Sequence, residues 1–120
     1  MRSDRGYVQW PEAKLGMRLT KGFAELSKAK LGTRVLREGI LTAKLYSPPQ
    51  ALELGIVDAV VKVEELYETA FQMSVNGLPE TMKLEYFDPK AFTEVKMEMY
   101  TDAYRALKFG KFDDAPSSRI

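Results

Sequence analysis

Ser47-Pro48-Pro49-Gln50-Ala51-Leu52-Glu53-Leu54-Gly55 runs directly into Ile56-Val57-Asp58-Ala59-Val60-Val61. The first part predicts a short helix. Ser47 can cap it, and Pro48 suits the first helical position, where no N–H is needed. Gln50 stands where it can close a capping box, and Gly55 can end the helix. The next six residues are apolar except for Asp58 and predict a buried strand. Downstream, Val63, Leu66, Tyr67, Ala70 and Phe71 fall on one helical stripe that stops at Asn76-Gly77. Asp88-Pro89 opens a last long helix with Phe92, Val95, Met99 and Ala103 or Leu107 on one face, closed by Gly110.

Upstream, residues 20–30 predict a helix with Gly32 as its stop. Thr33 can cap the next one, which offers Val35, Leu36, Ile40 and Leu41 for burial. Gly6-Tyr7-Val8-Gln9-Trp10 predicts a strand ended by Pro11, because proline cannot donate to a ladder. Two short, separated strands do not make a stable sheet by themselves. They read as parts of a sheet whose other strands lie elsewhere. The expected organisation is one domain over residues 1–110 and a polar, flexible tail over 111–120.

Composition narrows the chemistry. The 120 residues hold no cysteine and no histidine. This excludes disulfides, thiolate nucleophiles, histidine-based triads and most transition-metal sites. Proton chemistry is left to carboxylates, lysine and tyrosine. Eighteen basic residues against seventeen acidic ones give a net charge of +1, a balance that does not call for nucleic acid. No apolar run is long enough to span a bilayer, and the first residues lack a secretory-type apolar stretch. An intracellular protein is expected.

The candidate for proton chemistry is Glu12. It follows an apolar, β-prone run and Pro11, and precedes Leu15-Gly16. A carboxylate at such a junction can serve as a base. The plainer reading is a solvated side chain between strand and loop.

Three segments together resemble the crotonase superfamily of enoyl-CoA hydratases and Δ3,Δ2-enoyl-CoA isomerases. The first is Met1-Arg2-Ser3-Asp4-Arg5-Gly6 leading into Pro11-Glu12-Ala13-Lys14-Leu15-Gly16. The second is the stretch from Ser47 to Asp58. The third is Val60-Val61 followed by Val63-Glu64-Glu65-Leu66. The similarity covers nearly the whole chain and corresponds to the second half of a family-length protein. It implies an α/β crotonase-like fold (ClpP/crotonase), represented by its mostly helical C-terminal half with two short strands. The lead-in to a single glutamate is closest to the peroxisomal-type isomerases. Gly16-Met17-Arg18-Leu19-Thr20-Lys21-Gly22 lacks the glycine-rich run usual in hydratases.

The resemblance implies a fatty acyl-CoA substrate and an enolate held by two backbone N–H groups. Glu12 would be the catalytic proton shuttle, moving a double bond from position 3 to position 2 in β-oxidation. Pro11, Leu15, Gly16 and Met17 would line the substrate, with Trp10, Leu15 and Met17 as apolar walls. No metal or separate cofactor is implied, since coenzyme A is part of the substrate. Both oxyanion-hole segments of the family precede the position of Met1, so the 120 residues alone are expected to be weakly active or inactive. The alternatives are an enoyl-CoA hydratase, or a non-catalytic helical module that oligomerises with itself or with full-length subunits. Lys83, Lys90, Lys96, Lys108 and Lys111 suit a solvated face better than a CoA phosphate site. Ser118-Arg119-Ile120 resembles a relaxed peroxisomal address. It would engage an import receptor; otherwise a cytoplasmic location is expected.

Overall fold

In the computed structural model the described residues are 1–76 and 87–109. Five α-helices occur among them: α1 (Lys21–Lys30), α2 (Thr33–Val35), α3 (Pro48–Glu53), α4 (Leu66–Asn76) and α5 (Pro89–Phe109). A π-helical turn, Leu36–Ile40, continues α2, and a 3₁₀ turn, Val63–Glu65, leads into α4.

Helix boundaries follow local chemistry. The Thr20 side chain accepts from the Phe23 N–H at the start of α1. Gly32, not Thr33, is the cap of α2, and Thr33 is its first helical residue. At α3 the Ser47 N–H donates to Gln50 Oε1 at 3.0 Å, as the capping box requires. Gly55 ends that helix in the left-handed region at φ +65°. The turn brings both the Ile56 and the Val57 N–H onto the Ala51 carbonyl. A side chain with a β-carbon would strain this closure. Asp88 Oδ1 accepts from the Ala91 N–H and caps α5.

Neither expected strand forms a ladder: each holds one isolated bridge, and the stretch 56–61, expected as a buried strand, begins with bends at Ile56 and Asp58, is half-buried and leaves Asp58 exposed. Val8 pairs antiparallel with Tyr46, and Val61 pairs parallel with Arg2. The reason is supply of partners: each segment meets only one short length of chain among the described residues.

The core is small. Val35, Tyr46 and Ala51 are buried together, with Val8, Trp10, Leu31, Leu54, Ile56 and Val57 packed around them. A second contact joins α1 to α5. Gly22, near the start of α1, meets Leu107 near the end of α5. Lys30, at the other end of α1, stacks its ammonium 4.1 Å from the centre of the Tyr100 ring. The helices are therefore antiparallel.

Helix α1 covers only the last part of α5. Of the expected apolar face, Ala103 is buried and Phe92 half-buried, whereas Val95, Met99 and Leu107 are exposed. A ten-residue helix cannot cover a 21-residue one. The stripe on α4 is likewise open, with Tyr67 and Phe71 exposed. Leu41, expected inside, is also exposed. The closing glycines Gly77 and Gly110, and the tail 111–120, lie outside the described residues.

The Gly22 contact gives a direct stability prediction. A β-carbon there would stand 2.8 Å from Leu107 Cδ2 and 2.9 Å from Leu107 Cα. The latter is backbone and cannot swing aside. Gly22→Val is expected to destabilise by about 1–3 kcal/mol through overpacking. Urea unfolding checks this; an unchanged midpoint would show that the two helices do not hold this contact in solution.

Candidate functional site

The candidate site begins with the clamp on the segment carrying Glu12. Val8 and Tyr46 exchange two backbone hydrogen bonds, each 3.0 Å. Next to them, Gln9 Nε2 donates to the Ala43 carbonyl at 2.8 Å. These bonds tie residues 8–10 to the turn after the π-helical residues. The chain then folds into a single helix-like turn. The Pro11 carbonyl accepts from the Lys14 and Leu15 N–H groups. The Glu12 carbonyl accepts from the Met17 N–H at 2.9 Å, and Gly16 closes the turn at φ +65°.

This turn leaves Glu12 half-buried. Its Oε2 atom is shut off from solvent and has no hydrogen-bond partner. A buried carboxylate oxygen without a partner is costly, on the order of 1–3 kcal/mol or more, so its presence calls for a reason. Catalysis is one such reason: an acceptor that no protein group occupies is available to a substrate proton.

The burial of the other sequence-predicted residues is as follows. Pro11 is half-buried. Trp10 is half-buried and supplies an apolar wall to the core. Leu15 and Met17 are 64% and 60% exposed. They are open apolar surface where closed walls were expected. Gly16 is exposed as well. Ser118, Arg119 and Ile120 lie outside the described residues.

A charged cluster flanks the clamp. Glu38 bridges Arg34 and Lys44, each at 3.1 Å. The Lys44 and Arg34 hydrogen bonds hold its carboxyl below the usual carboxylate range. Asp4 is held low in the same way by the Arg2 guanidinium. The Arg2–Asp4 and Arg34–Glu38 pairs face solvent and the Lys44–Glu38 pair is part-buried; all three shape the local turns more than they stabilise the fold.

Gln9, Gly39, Ala43 and Tyr46 are parts of the site that the sequence reading overlooked. Gly39 is an isolated glycine within a helical run, which signals close packing. Its missing side chain makes room for the Tyr46 ring and Trp10: a β-carbon would stand 3.0 Å from Tyr46 Cε2 and 3.4 Å from Trp10 Cε3. Ala43 is fully buried with φ +52°, a conformation that costs a non-glycine residue on the order of 1–3 kcal/mol. Nothing in the sequence pattern announces it.

The Ile56-Val57-Asp58 motif lies elsewhere. It lines an open groove of about 430 Å³ with Met1, Leu66 and Met73. The Glu12 turn is not part of that groove. Among the described residues no cluster of three acidic, histidine or cysteine side chains is placed to hold a metal ion. No described helix is long and apolar enough to cross a membrane.

No protein-family model matches the sequence, and no curated protein matches it. Solved structures do resemble it in fold. An enoyl-CoA hydratase/isomerase family protein from Pseudomonas syringae superposes with a TM-score of 0.70 at 20% identity, over 89% of this chain and 44% of that one. An enoyl-CoA hydratase from Mycobacterium marinum gives 0.71 at 19%, over 91% and 45%. A Mycobacterium tuberculosis protein, described in one structure as an enoyl-CoA isomerase and in another as a probable enoyl-CoA hydratase, gives 0.72 at 19% over 91% and 45%, and 0.66 at 21% over 91% and 43%, respectively. The chain spans less than half the length of the structures it matches. The fold is therefore crotonase-like, in a mostly helical half, as the sequence led us to expect.

Proposed function

We propose that this chain is the C-terminal half of an acyl-CoA-binding enoyl-CoA isomerase of the peroxisomal Δ3,Δ2 type, with Glu12 as its proton carrier. The observation that carries the reading is the sequestered, unpartnered Oε2 of Glu12 on a turn held by the Val8–Tyr46 clamp. The crotonase-like fold and the motif resemblance support it. Glu12 would take a proton from C2 of a 3-enoyl-CoA and return it at C4, so that the double bond moves to position 2. One carboxylate serves as base and then as acid. The enolate formed between the two steps needs fixed hydrogen-bond donors. Removing one such donor costs roughly 10²–10³ in rate. In the resembled family both donors come from the preceding half.

The test follows from that division. The 120-residue polypeptide alone is expected to leave 3-hexenoyl-CoA unchanged. A fusion to the preceding half of the Pseudomonas syringae protein, with that protein's own second half removed, is expected to produce 2-hexenoyl-CoA. A folded fusion that binds acyl-CoA without turning it over would sink the isomerase reading. Conversion of 2-hexenoyl-CoA to the 3-hydroxyacyl thioester in place of isomerisation would make the chain a hydratase half. Assembly without either reaction would leave the helical oligomerisation module.

A peroxisomal location belongs to the same reading and rests on Ser118-Arg119-Ile120. A fluorescent protein extended by residues 111–120 is expected to enter peroxisomes. Uniform cytosolic fluorescence would remove the import receptor from the list of partners.

A further inference from the structure

Ala43 holds a backbone conformation that its own side chain disfavours. It is fully buried, and its φ is +52°. An L-residue keeps the left-handed region only where its surroundings hold it there. Its neighbours Thr42 and Lys44 are exposed and half-buried. Water therefore lies beside the turn and can take over its polar groups if the turn rearranges.

The hold comes from Gln9. Its Nε2 donates to the Ala43 carbonyl at 2.8 Å, across 34 positions of sequence. With Ala43 fully buried, that carbonyl is out of reach of solvent, and a buried acceptor without a donor is unfavourable. Leaving the left-handed region reorients the carbonyl and breaks the bond, so the bond opposes the change.

Short, defined links carry the consequence to the Glu12 segment. Three residues after Ala43, Tyr46 exchanges two backbone hydrogen bonds with Val8, each 3.0 Å. Gln9 is the next residue after Val8. The turn at Ala43 and the Val8–Tyr46 pairing are thus two sides of one loop, closed by the Gln9 amide. Glu12 follows on the same segment, past Trp10, which packs against the core. The turn from Pro11 to Met17 has its own backbone bonds. What the loop sets is therefore the seat of that turn on the core, not its internal shape.

We propose that Gln9 is a positioning residue: its side-chain amide holds Ala43 in the left-handed conformation and so keeps the Val8–Tyr46 pairing that seats the Glu12 turn. This deepens the reading of Glu12 as proton carrier and rests on it for its functional meaning. Glu12 Oε2 stays unpartnered, free for a substrate proton.

Amide hydrogen exchange on the full chain tests the hold without any substrate. The probes are the Val8 and Tyr46 N–H groups, with the amides around Ala103 in α5 as reference. Gln9→Met keeps the length of the side chain and removes the donor. It is expected to speed exchange at both probes by about tenfold, the weight of one hydrogen bond, and to leave the reference amides unchanged. Adding Ala43→Gly is expected to recover most of that loss, because glycine occupies the left-handed region without strain. A bond that merely added stability would not be replaced by a glycine. The proposal is overturned if Gln9→Met leaves the probes unchanged, if it speeds the reference amides equally, or if Ala43→Gly recovers none of the loss. Should Gln9→Met alone fail to fold, the double variant is required to fold, and its failure ends the proposal. In an active fusion, Gln9→Met is expected to lower kcat about tenfold at constant KM, and Ala43→Gly to restore it. A kcat indifferent to Gln9→Met overturns the positioning role. Exchange involves no acyl-CoA, so an inactive fusion leaves the Gln9–Ala43 hold standing, and unchanged exchange leaves the isomerase reading standing.

Discussion

Glu12→Gln is expected to lower the isomerase turnover of the fused enzyme by about 10²–10⁴-fold, the usual contribution of a positioned acid–base group. Glutamine matches glutamate in size and still accepts a hydrogen bond, but it cannot carry a proton between two carbons. The turn from Pro11 to Met17 is built from backbone hydrogen bonds, so the substitution leaves it in place. The loss should therefore fall on kcat with little change in KM, the signature of an interaction made in the transition state. Steady-state kinetics with 3-hexenoyl-CoA provides the measurement. A variant that keeps turnover within a factor of ten would show that another group moves the proton.

Tyr46→Ala is expected to cost about 3–5 kcal/mol, the range for removing a buried aromatic ring. Total stability for a domain is roughly 5–15 kcal/mol, and this core has few members to share the loss. Val35, Tyr46 and Ala51 form its buried centre, and Tyr46 is the largest of them. The ring also supports Gly39 and Trp10. Its removal opens a void beneath the segment that carries Glu12. Circular dichroism under urea should show a midpoint far below wild type or no cooperative transition. A change of under 1 kcal/mol would mean that the described core is not what holds the chain together. Compared with Tyr46→Phe, this variant separates what the ring does from what the hydroxyl does.

Much of the local structure was legible because it depends on neighbours in sequence. Ser47, Pro48, Gln50 and Gly55 start and stop α3 by bonds within a few residues. Asp88-Pro89 starts α5 in the same local way. The apolar stripes on α4 and α5 are real as patterns, yet the structure leaves much of each exposed. A periodic stripe says that a helix has something to bury, and it does not say where the covering surface is. The strand-like stretches show the same limit. Their residue types favour extension, but pairing needs another length of chain.

The sequence by itself determined which residues are available for proton chemistry, since a chain without histidine or cysteine leaves carboxylates, lysine and tyrosine. It also determined the two ends of α3 and the start of α5, because proline, glycine and capping side chains act over a few bonds. Tertiary structure alone decided that one oxygen of Glu12 is shut away without a partner. It alone seated the Tyr46 phenol, equally orphaned, against Gly39 and Trp10. Burial and hydrogen-bond satisfaction depend on segments more than thirty residues apart meeting in space, as Gln9 and Ala43 do, and no local pattern records which ones meet.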